Sequence, residues 1–343
     1  MVKEMRILIT GGAGFIGSHI VDHFLKNTDS EIVILDRLNY ASAGLDRLRD
    51  SQAYDSNRVL VLSIDLSQPI SDGVSREIDQ VDYIIHAAAE THVDNSIGDP
   101  RPFVMSNVVG TLNLLEWSRS QLNLKKFIYL STDEVFGPAQ LGQDFKEWDR
   151  YNSSSPYSAS KAGGEELCLA YASTFGLPVI ILHTMNAFGE RQHPEKFMVK
   201  VIRALLQNEV VYLHADISTG VIGVRSWIHC RNIASAIQFL MEKGESREKY
   251  NVVGEKELTN LELAYQIAEI IGKPLNYKLV DYRKFRPGFD PRYSLCGEKM
   301  KSMGWTIPVG FEIALAHTIK WTLDNPKWLR HRTYQESLKG VTT

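Results

Sequence analysis

Residues 131–137 read Ser-Thr-Asp-Glu-Val-Phe-Gly and follow directly on the apolar run Phe127-Ile128-Tyr129-Leu130. A hydroxyl and two adjacent carboxylates thus stand where a buried strand ends, and polar groups there are costly unless they bond or react. Asp133 and Glu134 are a candidate acid and base for neighbouring substrate atoms, with Thr132 as a hydrogen-bonding hydroxyl. Consecutive strand residues point to opposite faces, so both carboxylates reach one pocket only if the chain bends. Gly137-Pro138 is the bend the sequence offers. A second group is Tyr157-Ser-Ala-Ser-Lys161, whose four-residue spacing puts Tyr157 and Lys161 on one face of a helix. A phenol titrates near ~10 and is a poor base at neutral pH, but an ammonium beside it favours the phenolate. Such a pair takes a proton from a hydroxyl while hydride leaves the same carbon, which calls for a nicotinamide acceptor. Alone, the acidic triplet reads as a solvated loop and the Tyr–Lys pair as an ordinary helix surface. A cofactor site in the same chain changes that balance.

The N-terminus supplies one. Thr10-Gly-Gly-Ala-Gly-Phe-Ile-Gly17 follows an apolar strand and opens a helix. Gly11, Gly14 and Gly17 serve a tight turn, close approach of backbone to a pyrophosphate, and close helix–strand packing. The helix N-terminus offers free N–H groups to phosphate. Asp36 closes the second strand, 19 residues after Gly17. An acid there bonds ribose hydroxyls and repels a 2′-phosphate, so NAD is favoured over NADP despite the neighbouring Arg37. Asp65 and Leu66, after the third strand, border the adenine in this reading.

These groups need a scaffold, and the first half of the chain predicts one. Apolar runs at 6–10, 32–35, 59–64, 83–86, 127–130 and 179–183 alternate with helical stretches at 16–26, 102–122 and 159–175. Continuous apolar strands separated by helices predict a doubly wound parallel sheet of the Rossmann kind, an α/β fold. After residue 183 the pattern loosens into helices at 195–207, 231–243, 259–271 and 309–324. The expected organisation is a dinucleotide-binding domain over 1–182, a smaller C-terminal substrate-binding lobe over 183–330, partly interleaved, and a polar tail over 331–343. Net charge is −3, so no basic field draws the chain to nucleic acid. Cys168, Cys230 and Cys296 lie far apart without a metal-binding spacing, which predicts no metal site and reduced thiols in a cytoplasmic protein. No apolar run approaches the length of a membrane span, and the start reads as a first strand rather than a secretion signal.

The residues so far, with His86-Ala-Ala-Ala-Glu-Thr-His-Val-Asp-Asn-Ser96, Asn107-Val-Val-Gly-Thr111 and Pro194-Glu-Lys196, resemble the extended short-chain dehydrogenase/reductase family. Within it the chain is similar to the nucleotide-sugar 4,6-dehydratases of the dTDP-glucose type, over roughly residues 5–325. Arg225-Ser-Trp227 and Arg286-Pro-Gly288 fit more loosely. The resemblance implies an NAD-dependent hydro-lyase. Tyr157 would take the 4′-OH proton, and Lys161 would steady the phenolate and the nicotinamide ribose. Thr132 would bond O4′, Glu134 would take the C5′ proton, and Asp133 would protonate the departing 6-hydroxyl. Further cofactor contacts are implied at Phe15, Ile16, Ala88, Ala89 and Ser106. His92, Asn186, Glu195, Lys196, Arg225 and Arg286 would hold a nucleotide-diphosphate sugar. A homodimer paired through the helices at 102–122 and 159–175 is implied as well.

The chain departs from the family pattern at the substrate end. Asn186 matches the first of two expected asparagines, but Ala187 replaces the second. The stretch between Tyr212 and Arg225 is longer than expected, Ser226 stands where an Asp is usual, and Lys256 replaces an expected phosphate-contacting Asn. Nucleotide base and sugar therefore stay open. Competing readings are a nucleotide-sugar 4-epimerase, a UDP-glucuronate decarboxylase and a non-catalytic NAD-binding protein. An epimerase needs no acid–base pair for water loss, and Asp133 would repel a 6-carboxylate.

Overall fold

The computed structural model describes residues 5–282 and 290–330. Its strands, in chain order, are β1 (Arg6–Thr10), β2 (Glu31–Asp36), β3 (Val59–Ser63), β4 (Tyr83–His86), β5 (Lys126–Thr132), β6 (Val179–Thr184), β7 (Asn186–Phe188), β8 (Val211–Asp216), β9 (Val221–Ile222), β10 (Val224–His229), β11 (Lys249–Val252), β12 (Lys256–Thr259) and β13 (Tyr277–Asp281). Seven form one parallel sheet in the order β11-β6-β5-β4-β1-β2-β3. The order reverses between β1 and β4, and ligands of open α/β sheets bind in the crevice at that switch point. Alternation along β1 shows both faces covered. Ile7 and Ile9 join one apolar cluster with Ile20 and Phe24, while Leu8 joins another with Val33, Ile84 and Leu114.

The later chain adds two three-stranded sheets, β12-β10-β7 and β13-β8-β9. A third apolar cluster, including Met198, Trp227, Leu263 and Leu315, packs there. β11 returns to pair with β6, so the later chain closes the edge of the first sheet.

Two local features position the site. Ser155 accepts from the Ser158 N–H and Ser158 bonds back, a reciprocal cap that starts the helix Pro156–Phe175 with Pro156 in its first turn. The helix stops at Gly176, whose φ of 70° is left-handed. It therefore begins three residues before the sequence reading and takes Tyr157 into its first turn. The helix expected over 102–122 runs unbroken over 101–118, as an α-helical turn Arg101–Val104, a π-helical turn Met105–Val109 and an α-helix Gly110–Ser118. The irregular turn carries Asn107, which is buried and bonds both the N–H and the C=O of Glu90, anchoring the loop after β4. Among the described residues no helix is long and apolar enough to cross a membrane.

Candidate active site

The glycine-rich turn leaves β1 and runs straight into the helix Phe15–Asn27. Gly14 caps that helix with no side-chain hydrogen bond, so its first amides are left for a ligand. A Cβ on Gly17 would lie 2.0 Å from the Gly11 carbonyl oxygen, and one on Gly11 would lie 2.7 Å from the Ala88 backbone. Only glycine fits this approach of turn, helix and β4 loop. Thr10 Oγ1 bonds His86 Nδ1 at 2.7 Å and accepts from the Ala88 N–H at 3.2 Å, tying the two loops together.

Asp36 ends β2 almost buried. Its two oxygens accept from the Ala13 N–H at 3.0 Å and the Leu38 N–H at 2.8 Å. Each oxygen keeps a lone pair for a hydroxyl. Burial raises the Asp36 pKa, against these hydrogen bonds. Arg37 beside it pairs with Glu90 and lies 3.8 Å from Asp65, so its charge is already met by two acids.

A cavity of about 530 Å³ runs from this turn past the ends of β4 and β5 to the later chain. That is within the usual size for small-molecule sites. Every candidate residue named from the sequence lines it except Arg286, which lies outside the described residues. Phe15, Ile16, Ala88, Ala89 and Ser106 line the cofactor end with Asp36, Asp65 and Leu66. Buried polar atoms on the wall lack a protein partner: Asp133 Oδ2, Thr184 Oγ1, Gln192 Oε1 and Trp227 Nε1. Such atoms, with the open helix amides, fit a polar ligand that spans the cavity.

At its centre, Thr132 ends β5 and accepts from the Glu134 N–H at 3.3 Å, capping a 3₁₀ turn over Asp133–Phe136. This turn, rather than Gly137-Pro138, brings both carboxylates to the cavity, because the chain leaves the strand geometry at Asp133 itself. Asp133 is 4% exposed and accepts from the Thr132 hydroxyl at 3.1 Å. Burial, then the neighbouring Glu134, pushes its pKa up to about 7, with Thr132 and Arg225 opposing. The Tyr293 hydroxyl donates to Glu134 Oε2 at 3.4 Å.

Tyr157 bonds the Thr132 side chain, and its phenol is pushed above its ordinary value by burial and then Glu134. The Thr132 hydrogen bond opposes that rise, and the lowering expected from Lys161 does not appear in the free protein. Lys161 Nζ donates to the Leu130 carbonyl at 2.6 Å and stands 4.1 Å over the Tyr129 ring. Burial lowers its pKa to about 8, opposed first by Glu165.

Towards the later chain, His92 Nε2 and His193 Nδ1 lie 3.8 and 3.5 Å from the Glu195 carboxylate. Asn186 and Lys196 line the same wall. Arg225 lines it too, but its guanidinium donates to the carbonyls of Val224, Asp290 and Pro291 and stacks over Tyr293. The long stretch after Tyr212 is a β8–β9 hairpin, with Tyr212 and His214 on the cavity wall. Lys256 pairs with Glu312 and does not line the cavity, whereas Asn260 does.

Sequence reasoning missed Lys200, Arg47, Gln192 and Trp227 as wall residues. Lys200 carried a signal, one helical turn beyond Lys196. Arg47 carried none, since a buried arginine is set by tertiary packing. Its Nε donates to the Arg191 carbonyl, 144 residues on.

The fold and site define a nucleotide-binding α/β protein of the NAD dependent epimerase/dehydratase family, to which the chain belongs: that family's model matches residues 7–253. The dTDP-glucose 4,6-dehydratase of Escherichia coli is 35% identical, covering 95% of this chain and 95% of its own length. The trifunctional UDP-glucose 4,6-dehydratase/UDP-4-keto-6-deoxy-D-glucose 3,5-epimerase/UDP-4-keto-L-rhamnose-reductase RHM3 of Arabidopsis thaliana is also 35% identical over 95% of this chain. The chain spans about half of that plant protein, 48%. Among solved structures, the dTDP-glucose 4,6-dehydratase DesIV of Streptomyces venezuelae, solved with NAD bound, superposes with a TM-score of 0.85. It is 35% identical, and the match covers 95% of this chain and all of that one.

Proposed function

We propose that the chain is an NAD-dependent nucleotide-sugar 4,6-dehydratase, a hydro-lyase that converts a nucleotide-diphosphate hexose to the 4-keto-6-deoxy sugar and water. NAD held by Gly11, Gly14, Gly17 and Asp36 would supply a hydride acceptor at C4′ and later a donor at C6′. Tyr157 Oη takes the 4′-OH proton, with the Thr132 hydroxyl on O4′. Burial keeps the free phenol neutral, so its deprotonation belongs to the loaded site, where Lys161 supplies positive charge. The 4-keto group acidifies C5′, whose proton Glu134 takes. Asp133 gives its proton to the departing 6-hydroxyl, and as hydride would return to C6′, Glu134 gives a proton back to C5′.

The observation that carries this reading is Asp133. It is a buried carboxyl, pushed up to about 7 by burial and Glu134, with one oxygen unpartnered, beside a second carboxylate and the Tyr–Lys pair. A redox or epimerisation site needs no such acid. Incubation with UDP-, dTDP-, GDP- and CDP-hexoses tests it. Loss of one water by mass from one of them is the expected result, and interconversion at constant mass favours the 4-epimerase.

Substrate contacts fall to His92, Asn186, Glu195 and Lys196, with the lobe over 183–330 covering the sugar nucleotide. A homodimer follows from the exposed apolar residues Val104 and Met105, next to the helix Pro156–Phe175. Sedimentation as a monomer at micromolar concentration contradicts it. The three unpaired cysteines suit a cytoplasmic enzyme.

A further inference from the structure

Behind the cavity lies a carboxylate that the chemistry above does not use. Glu165 sits one helical turn after Lys161, is fully buried, and is not on the cavity wall. Its Oε1 accepts from the Ser131 hydroxyl. Its Oε2 accepts from the Tyr151 hydroxyl and from His183 Nε2 at 3.1 Å, and Lys249 Nζ lies 3.7 Å away. The β5–β6 register places Ser131 opposite His183, so one carboxylate spans both strands just before Thr132. Asn251 donates its amide to the Phe145 and Cys296 carbonyls, which leaves its Oδ1 to face His183 Nδ1 at 3.0 Å. Both ring nitrogens of His183 therefore face side-chain oxygens.

A buried carboxylate is expensive, and packing alone is served as well by an apolar residue. Ser131, Tyr151, His183 and Lys249 offset much of that cost, and the same carboxylate stands one helical turn from the buried Lys161. Lys161 makes no ion pair within 4.0 Å among the described residues. Its near contacts, the Leu130 carbonyl and the Tyr129 ring, are neutral. The groups facing Lys161 are Glu165 and Cys168 on its own helix, Tyr129 on β5, and His86 on β4. Of these, Glu165 is the carboxylate that opposes the cost of burying an ammonium, and its own pKa stays low through His183, Ser131 and Tyr151 despite burial.

We infer that Glu165 is a positioning residue that keeps Lys161 charged and pins the end of β5 from which Thr132, Asp133 and Glu134 project. It touches neither substrate nor cofactor and acts through Lys161 and Ser131. The inference rests on the proposed role of the Tyr157–Lys161 pair, yet its test is independent of turnover.

The test is competitive labelling of the full-length protein with acetic anhydride across a pH series, with Lys161 acetylation read by mass spectrometry. The wild-type midpoint is expected near 8. In Glu165→Gln it falls by about one pH unit or more, which leaves about tenfold less ammonium at a given alkaline pH. The alkaline limit of C4 oxidation moves with it, while KM for the nucleotide sugar stays within about twofold. An unchanged Lys161 midpoint in a folded Glu165→Gln protein overturns the inference. If that variant does not fold, Glu165→Asp decides. A midpoint within about half a unit of wild type supports the inference, and a fall of a full unit with the carboxylate retained overturns it. Absence of any turnover by the wild type counts against the dehydratase reading and leaves the labelling result standing.

Discussion

Replacing Asp133 by Asn removes the acid that the water-loss step requires, and the structure sets the size of the effect. Burial and Glu134 lift this carboxyl from 3.8 to about 7. At 1.36 kcal/mol per unit, ionising it in the fold costs about 4 kcal/mol. At pH 7 about half the protein carries the proton, and at pH 8 about a tenth. The wild-type dehydration rate should therefore fall about tenfold per pH unit above 7. Asparagine cannot donate a proton, so Asp133→Asn should lose ~10²–10⁴ in dehydration. C4 oxidation should survive in it, seen as the near-ultraviolet absorbance of reduced nicotinamide accumulating with nucleotide sugar present. Stability should change with a definite sign. The folded carboxyl titrates above its unfolded value, so as pH rises from about 4 to about 7 the wild type loses stability that the amide keeps. The variant's melting advantage should grow across that window and then level off. A wild-type rate flat from pH 6 to 9, or a variant with more than a tenth of wild-type dehydration, refutes the reasoning.

Tyr157→Phe should lower both C4 oxidation and dehydration by ~10²–10⁴ while calorimetry shows nucleotide-sugar affinity within a few-fold of wild type. Asp36→Ala should weaken NAD binding by ~10–100-fold, the worth of charge-assisted hydrogen bonds to ribose, and narrow the preference over NADP. Fluorescence titration with both reduced cofactors measures this. Gly17→Ala places a Cβ 2.0 Å from the Gly11 carbonyl oxygen. It should cost at least ~2 kcal/mol in stability and abolish the rise in melting temperature on adding NAD.

Much of the cofactor half is legible in the sequence because its determinants are local. Glycines whose Cβ would collide with backbone, an acid at the end of β2 and doubly buried apolar strands each leave a short-range mark. The acidic triplet was legible as chemistry but not as geometry. The bend is a 3₁₀ turn capped by Thr132, and nothing in Asp-Glu-Val-Phe announces it. The rise of the Tyr157 phenol is hidden from the sequence for a similar reason. Spacing shows that a lysine is near, but desolvation is set by Phe103, Val93 and other residues distant in the chain that cover the phenol. The substrate end is least legible because it is assembled from β8, β10 and the segments around them. Arg225 shows the consequence: it lines the cavity, but its type does not reveal that its guanidinium also holds the backbone at Asp290 and Pro291.

The central claim is that one carbon is oxidised, water is lost from the next two, and the same hydrogen returns at C6. A nucleotide hexose deuterated at C4 measures this directly when the product is examined by mass spectrometry and NMR. The predicted product has lost one water, carries the deuterium at C6, and holds a solvent-derived hydrogen at C5. Deuterium retained at C4 in a product of unchanged mass, or lost to solvent, contradicts it.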